Sequence, residues 1–195
     1  MTALNLPVLI GTNRKDRKSI FAARWLLEQM RQRDVIATRL FDVADFELPQ
    51  RDYGQAVKDR FPDWRDAIIN ADGLVIVSPE YNHGYPGTLK AVLDLLLKEY
   101  IHKAVAIVGV SAGPWGGTRM IEAMVPIVRE LGLAVTFTDL NFPFVQKSFD
   151  ESGKLLDPAF EQRAKDFLDE LVWMARVLKW GRENVPSKHH ADERK

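Results

Sequence analysis

The sequence predicts an α/β fold: a three-layer α/β/α sandwich whose five-stranded parallel sheet has the strand order 2-1-3-4-5. Short apolar runs alternate along the chain with longer segments in which apolar residues recur at helical spacing. Residues 73–78 and 104–110 are apolar almost throughout, as is typical of strands covered by helices on both faces. Because crossovers between parallel strands are right-handed, few topologies remain, and 2-1-3-4-5 is a common one for five strands.

Three strands and two helices are predicted in the first half of the chain. The first strand spans residues 7–11 and the second spans 35–43, and both are short apolar runs. Between them, apolar side chains at helical spacing predict a helix over 19–31. A short helix over 63–70 then leads into the third strand at 73–78.

The second half repeats this alternation. A helix predicted over 86–99 precedes the fourth strand at 104–110. A helical stripe over 121–131 is expected to end at Gly132, since glycine readily adopts the left-handed conformation that closes a helix. Pro126 lies inside that stripe and lacks a backbone donor, so we expect a kink or a local break there.

A fifth strand at 134–138 is followed by the last helix. Asp157 is a suitable N-cap, Pro158 favours the first helical position, and Gly181 is expected to end the helix. Its apolar face comprises Phe160, Ala164, Phe167, Leu171, Ala175 and Leu178.

Composition indicates one globular domain. The 195 residues are 46% hydrophobic, which predicts a single domain over 1–183 and, from its polar aperiodic sequence, a disordered tail over 184–195. No apolar run approaches the roughly 18 to 20 residues that span a bilayer, and the N-terminus lacks the pattern of a secretory signal. We therefore expect a cytoplasmic protein that does not associate with membranes.

Charge and residue types exclude several classes of function. Lys+Arg and Asp+Glu are equal at 27 each, so no overall field attracts nucleic acid. The absence of cysteine excludes disulfide scaffolds, thiol nucleophiles and cysteine-ligated clusters. No His-Glu-x-x-His motif supports a zinc hydrolase, and we expect no metal; the four histidines are His83, His102, His189 and His190. Any redox chemistry therefore needs an organic cofactor.

Three loops are expected to meet at one edge of the sheet. In this topology ligands bind beyond the C-terminal ends of the strands, where the winding reverses between strands 1 and 3. The loops that reach this place follow Ile10, Ser78 and Val110.

The first loop, residues 11–19, has the composition of an anion site. It carries hydroxyls at Thr12 and Ser19 and basic side chains that include Arg14 and Arg17, and it runs into a helix N-terminus. Arginines there can donate charge-assisted hydrogen bonds to phosphate oxygens. It is neither a P-loop nor a Gly-x-Gly-x-x-Gly motif, and a solvated basic turn is the alternative.

The other two loops suit a flat ring with polar edges. Residues 78–94 combine two tyrosines with backbone-restricting prolines at 79 and 86. Residues 111–119 are mostly small, which allows close approach of the main chain to a ligand, and Trp115 can cover a ring or a neighbouring subunit. Taken singly, each could be only a packed turn or a flexible connection. Together at one edge they predict a binding site.

The motif Pro-Glu-Tyr-Asn-His-Gly-Tyr-Pro-Gly-Thr-Leu-Lys over 79–90, with Asp94, resembles the signature of the NADPH-dependent FMN reductase family, which has a flavodoxin-like fold. The first loop is similar to that family's phosphate loop, although its interval from arginine to serine is long. The Gly-Gly-Thr-Arg run over 116–119 is similar to the family's third loop. The resemblance extends over roughly residues 6–180.

The resemblance implies a set of cofactor-binding residues. The FMN phosphate would be held by Thr12, Arg14, Arg17, Ser19 and the N–H of Ile20. The edge of the isoalloxazine would lie against Pro79, Glu80, Tyr81, Asn82 and His83, and its other side against Ser111, Ala112, Gly113 and Gly116. For His83, a surface or packing role is as plausible as proton transfer.

The resemblance also implies an NAD(P)H-dependent flavin or quinone reductase. NADPH or NADH would pass hydride through bound FMN to a quinone, azo compound, metal oxyanion or free flavin, with no side chain named as catalytic acid or base. A homodimer or homotetramer is implied, and residues 44–62, including Tyr53, are a candidate wall for the partner's site. Two alternatives remain: an electron-transfer module like flavodoxin, and a flavin-free regulatory protein on the same scaffold. Flavodoxins are typically acidic, whereas this chain is neutral.

Overall fold

The computed structural model describes residues 2–52 and 54–189, and over this part the chain forms the three predicted layers. The strands of the described part are β1 (Leu4–Asn5), β2 (Val8–Ile10), β3 (Ile36–Ala37), β4 (Leu40–Asp42), β5 (Gly73–Pro79), β6 (Ala104–Val110), β7 (Ala134–Val135) and β8 (Leu140–Phe142). All pairs are parallel, and the main sheet has the order β4-β2-β5-β6-β7, with β8 also on β6. Because β7 and β8 together form the fifth strand, the predicted order 2-1-3-4-5 is confirmed.

Helices cover both faces of the sheet. They are α1 (Ser19–Arg31), α2 (Pro62–Ile69), α3 (Gly87–Leu93), α4 (Thr118–Glu130), α5 (Val145–Ser148) and α6 (Ala159–Asn184), with short 3-10 helices at Val43–Asp45, Gly54–Arg60 and Lys98–Tyr100. One apolar layer packs against α1 and α6, and the other against α2, α3 and α4. Along β5, Val75 and Val77 face the first layer, while Leu74 and Ile76 face the second. Successive side chains of this strand therefore alternate between two cores.

The second predicted strand is divided at Thr38. Leu6 and Val8 donate backbone hydrogen bonds to Ala37 and Arg39 at 2.9 Å each, but the Leu6 carbonyl between them accepts from the side-chain hydroxyl of Thr38 at 2.8 Å. The pairing is therefore interrupted, and β1 and β3 form a separate two-stranded extension of β2 and β4.

The fifth strand is divided by an insertion, and the predicted range 134–138 is wrong. Val135 pairs with Val105, an offset of 30 residues, whereas Leu140 pairs with Val108, an offset of 32. Two extra residues are thus accommodated between β7 and β8, where Phe137 is 83% exposed. The strand then resumes at Leu140–Phe142, beside the third loop.

Pro126 does not break α4, which is continuous over Thr118–Glu130. Both Pro126 and Glu122, whose carbonyl loses its intrahelical donor, lie on the exposed face, where water can reach the carbonyl. The predicted end at Gly132 is confirmed. Gly132 has a φ of 85°, and it and Leu133 donate to the carbonyls of Arg129 and Val128, the pattern of a Schellman motif.

Two other helix ends differ from the prediction. The helix predicted over 86–99 ends at Leu93, because tighter i to i+3 turns follow and bury both Leu95 and Leu96. The last helix continues past Gly181 to Asn184. Its extra turn is held by tertiary contacts, since Arg182 pairs with the buried carboxylate of Asp72 at 2.9 Å.

At its start, the last helix follows the prediction. The Asp157 carboxylate accepts a hydrogen bond from the N–H of Ala159 at 2.9 Å, and Pro158 has helical dihedral angles. Of the predicted tail, residues 185–189 form neither helix nor strand, and 190–195 lie outside the described residues, as does Tyr53. No helix in the described ranges is long and apolar enough to cross a membrane.

Candidate functional site

The three predicted loops meet at the C-terminal ends of β2, β5 and β6. Parallel pairing brings Ile10 beside Val77 and Pro79 beside Val110, so the loops that follow these strands start side by side. Between them lies a cleft of about 350 Å³. It is lined by residues 14–19 of the first loop, 79–81 of the second and 110–112 of the third, together with Val145. Sequence reasoning missed Val145, which opens α5 after the displaced β8.

The first loop leads into α1, and the first residue of this helix, Ser19, lines the cleft. Helix α1 begins at Ser19, so the N–H groups of Ser19 and Ile20 belong to the first turn and have no intrahelical acceptor. Ser19 is 2% exposed, and its Oγ has no hydrogen-bond partner among the described residues. A buried unpaired hydroxyl beside helix N–H groups is a place where an anion's oxygen fits.

The two predicted arginines of this loop have different surroundings. Arg14 is exposed, and its Cζ lies 6.0 Å from the centre of the Tyr81 ring. Arg17 is less exposed, because its Nη2 pairs with the carboxylate of Asp42 at the end of β4. The Nε of Arg17 is buried and lacks a partner within the described part of the chain. Sequence reasoning missed Asp42, and its only signal was an acidic residue at the end of the second strand.

Thr12 connects the first loop to the second. It is 1% exposed, its Oγ1 lies 2.9 Å from the Tyr81 hydroxyl, and it accepts a hydrogen bond from the N–H of Arg14 at 3.3 Å. The hydroxyl of Thr12 therefore connects the first loop to the Tyr81 side chain.

A tight two-residue turn forms the tip of the second loop. Tyr81 and Gly84 exchange backbone hydrogen bonds of 2.9 Å, and between them Asn82 and His83 have φ values of 48° and 67°. Left-handed geometry at both central positions is that of a type I′ turn and costs about 1–2 kcal/mol for each residue that is not glycine. Strain of this kind is often found at functional sites. Both side chains are exposed, and the cleft is lined by the preceding residues 79–81.

An arginine links the second loop to the third. Arg119 donates from Nε to Glu80 Oε1 at 2.7 Å and from Nη1 to His83 Nε2 at 2.8 Å. Because a guanidinium only donates, His83 accepts through Nε2 in this arrangement. The Arg119 Cζ also lies 5.8 Å from the ring centre of Trp115, which is 60% exposed. The sequence indicated Arg119 only as part of a pattern, without a role.

The small residues of the third loop divide between the cleft and the protein interior. Ser111 and Ala112 line the cleft, and Ser111 Oγ donates to the Gly113 carbonyl at 2.9 Å. A Cβ added at Gly113 would meet nothing within 4 Å among the described atoms. Gly116 is buried, has a φ of 58°, and would bring a Cβ to 2.8 Å from Asn141 Cβ. Gly116 therefore packs against β8 and is not among the residues that line the cleft.

These features fit a flavin mononucleotide. Helix N–H groups, a buried unpaired hydroxyl and arginines suit its phosphate, while Tyr81 and the small residues 111–113 leave a narrow space for a flat ring. A doubly wound parallel sheet with such a cleft at its topological switch point defines a flavodoxin-like flavoprotein.

Comparison with known proteins identifies the family. The NADPH-dependent FMN reductase family matches residues 4–147, and the chain belongs to it. An FMN-dependent NADPH-azoreductase of Staphylococcus aureus is 30% identical over 173 residues, covering 85% of this chain and 92% of that protein. The protein is thus an NAD(P)H-dependent FMN oxidoreductase that acts on small-molecule acceptors.

Solved structures share the fold. The flavoenzyme NAD(P)H:(acceptor) oxidoreductase FerB of Paracoccus denitrificans superposes with a TM-score of 0.74 at 20% identity, covering 88% of this chain and 97% of the other. An azoreductase of Bacillus anthracis gives a TM-score of 0.54 at 14% identity, with coverage of 91% and 99%.

Proposed function

We propose that the cleft between the three loops holds FMN and that the enzyme uses NAD(P)H to reduce a flat conjugated acceptor, a quinone or an azo compound. The observation that carries the proposal is the pair of buried polar atoms without partners in the described structure, Ser19 Oγ and Arg17 Nε, beside the start of α1. Leaving such groups unpaired costs about 1–3 kcal/mol each, and a phosphate would satisfy both.

The chain's residues have distinct parts in this arrangement. The phosphate is bound by Ser19, by the N–H of Ile20 and by Arg14 and Arg17, whose charges offset its own. Thr12 acts indirectly by fixing Tyr81.

The ring lies between the second and third loops. Its edges face the 79–83 segment on one side and Ser111, Ala112 and Gly113 on the other, and Gly116 supports the third loop from behind.

Bound FMN supplies the two-electron chemistry that joins a nicotinamide nucleotide to an acceptor. The protein's part is to orient the ring, to exclude water from its buried edge and to leave one face accessible. Glu80 is the carboxylate that the second loop contributes to the lining of the described cleft, and it is engaged by Arg119 at 2.7 Å. We accordingly assign no side chain as a catalytic acid or base.

An azo compound is the acceptor that the name of a relative supports, and a quinone is the other flat acceptor that we propose. The S. aureus relative is named as an azoreductase, and the cleft has the aromatic and small residues that a flat ring needs. We also propose a homodimer or homotetramer, since Trp115 and Phe144 leave 60% and 43% of their surfaces exposed near the third loop. A cytoplasmic location, where reduced nicotinamide nucleotides are available, completes the proposal, with residues 1–183 as its single domain.

The test is spectroscopic and kinetic. The purified chain is mixed with FMN, separated from free flavin and scanned, and then NADPH oxidation is followed with a quinone and with an azo dye. Flavin absorbance that stays with the protein, and NADPH oxidation that needs both FMN and acceptor, are expected. Bound flavin without NADPH oxidation would instead indicate an electron-transfer module, and a colourless protein would indicate a flavin-free role.

A further inference from the structure

Asp42 lies where the edge strand of the sheet meets the phosphate loop, and both oxygens of its carboxylate are engaged. Oδ1 accepts a hydrogen bond from the N–H of Ala44 at 2.9 Å, at the start of the 3-10 helix Val43–Asp45. Oδ2 pairs with Nη2 of Arg17. Because the backbone bond orients the carboxylate, Asp42 gives Arg17 a partner in a defined position.

The ion pair with Asp42 restricts the orientation of the Arg17 side chain and leaves only part of its guanidinium available to a ligand. The side chain of Arg17 is 18% exposed, whereas Arg14, Lys15 and Lys18 in the same loop are exposed to solvent. With Nη2 committed to Asp42, the Nε edge of Arg17 stays buried and unpaired within the described chain, and the residue lines the cleft together with Ser19. A fixed guanidinium loses less side-chain entropy on binding an anion than a mobile one.

We propose that Asp42 is a positioning residue that holds the Arg17 guanidinium so that its Nε edge binds the FMN phosphate; this rests on the proposed function. Electrostatics alone predicts the opposite effect on FMN affinity, because a carboxylate near a phosphate repels it. If Asp42 acts only through its charge, removing that charge strengthens FMN binding. If it positions Arg17, removing the charge weakens FMN binding and leaves riboflavin, which has no phosphate, unaffected.

The experiment compares two flavins on the full-length apoprotein. Asp42→Asn keeps Oδ1 as an acceptor for Ala44 but replaces the oxygen that pairs with Arg17. Binding is titrated by the quenching of flavin fluorescence, and we expect the Kd for FMN to rise about tenfold and that for riboflavin to stay within about twofold. Asp63→Asn is the matched control, because it breaks an arginine–aspartate pair of 2.6 Å with Arg39 outside the cleft. It should alter neither Kd.

A second pair of variants keeps the inference testable if Asp42→Asn folds poorly. Arg17→Lys preserves the charge but has no Nε donor, so it should weaken FMN binding, by less than Arg17→Met, which also removes the charge. In the Arg17→Met background, Asp42→Asn should cause no further loss of FMN affinity.

Several outcomes would overturn the inference. One is that Asp42→Asn binds FMN as tightly as wild type or more tightly, and another is that it loses equal affinity for FMN and riboflavin. The inference also fails if Asp42→Asn still weakens FMN binding in the Arg17→Met background, or if Arg17→Lys binds FMN with wild-type affinity. A wild-type chain that binds neither flavin overturns the proposed function, and the inference with it. Wild-type binding with unaffected variants overturns the inference alone.

Discussion

Replacing Ser19 with alanine is expected to stabilise the apoprotein slightly and to weaken its binding of FMN. Ser19 is 2% exposed, and its Oγ has no partner within residues 2–52 and 54–189. A buried unpaired hydroxyl costs about 1–3 kcal/mol, and its removal relieves part of that cost in the apoprotein. With phosphate bound, the hydroxyl makes a charge-assisted hydrogen bond of about 1.5–3 kcal/mol. Its loss should raise the Kd for FMN about 10- to 150-fold.

Two measurements on the same variant check this prediction. The free energy of unfolding of the apoprotein is obtained from urea denaturation, and the Kd for FMN from a fluorescence titration. Ser148→Ala is the control, because Ser148 is buried outside the cleft and its Oγ donates to the Pro143 carbonyl at 3.1 Å. That variant should lose about 1 kcal/mol of stability and keep its affinity for FMN. A Ser19→Ala apoprotein that is less stable than wild type, with an unchanged Kd, would refute the reasoning.

Three other predictions concern charged residues. Arg14→Ala should weaken FMN binding by about 1.5–3 kcal/mol, the scale of a charged hydrogen bond, and an unchanged Kd in the same titration would contradict its assignment. Asp72→Ala should destabilise the protein by about 2–4 kcal/mol in urea, because it leaves Lys179 and Arg182 without the buried carboxylate that each contacts at 2.9 Å; wild-type stability would contradict this. Burial would raise the pKa of Glu99, but hydrogen bonds from the N–H groups of Leu97 and Glu99 itself, and the Lys58 ammonium, outweigh it and hold the pKa below its usual value of 4.5. Its contribution to stability is therefore complete above that value and lost as the pH falls through the lowered pKa, so the stability difference from Glu99→Gln should shrink in acid and not in base.

The elements of the fold were predictable wherever a local apolar pattern specified them. Helix α1 and strand β6 have the bounds that the sequence predicts, Ser19–Arg31 and Ala104–Val110. The structure differs from the predicted bounds where contacts with residues far away in the chain determine the backbone conformation. The extra turn of α6 depends on Asp72, about a hundred residues earlier in the chain, and the insertion between β7 and β8 becomes visible only through their register with β6.

The sequence was sufficient to predict which three loops form the candidate site, but not which side chains contact one another there. Their meeting follows from the parallel sheet, because the C-terminal ends of adjacent strands lie at one edge. Sequence reasoning expected Gly116 to face the ring, but the nearest atoms to its position belong to Asn141 of β8 and to Pro143, and this strand segment was not predicted. It also gave Thr12 a phosphate contact, which stays a prediction, and it did not foresee that the Thr12 hydroxyl lies 2.9 Å from the hydroxyl of Tyr81.

The sequence by itself determined the alternation of strands and helices, the order of the sheet and the edge at which the three loops meet, because apolar periodicity and glycine or proline signals act over a few residues. Only the tertiary structure decided which charges meet. Arg17 pairs with Asp42 and Arg119 with Glu80, across 25 and 39 residues of chain. Such pairs form only between side chains that folding brings close together. The local sequence around an arginine does not indicate which carboxylate will be near it. The residues of the first loop could therefore be identified from the sequence, whereas the orientation of Arg17 depends on Asp42 in the strand beside it.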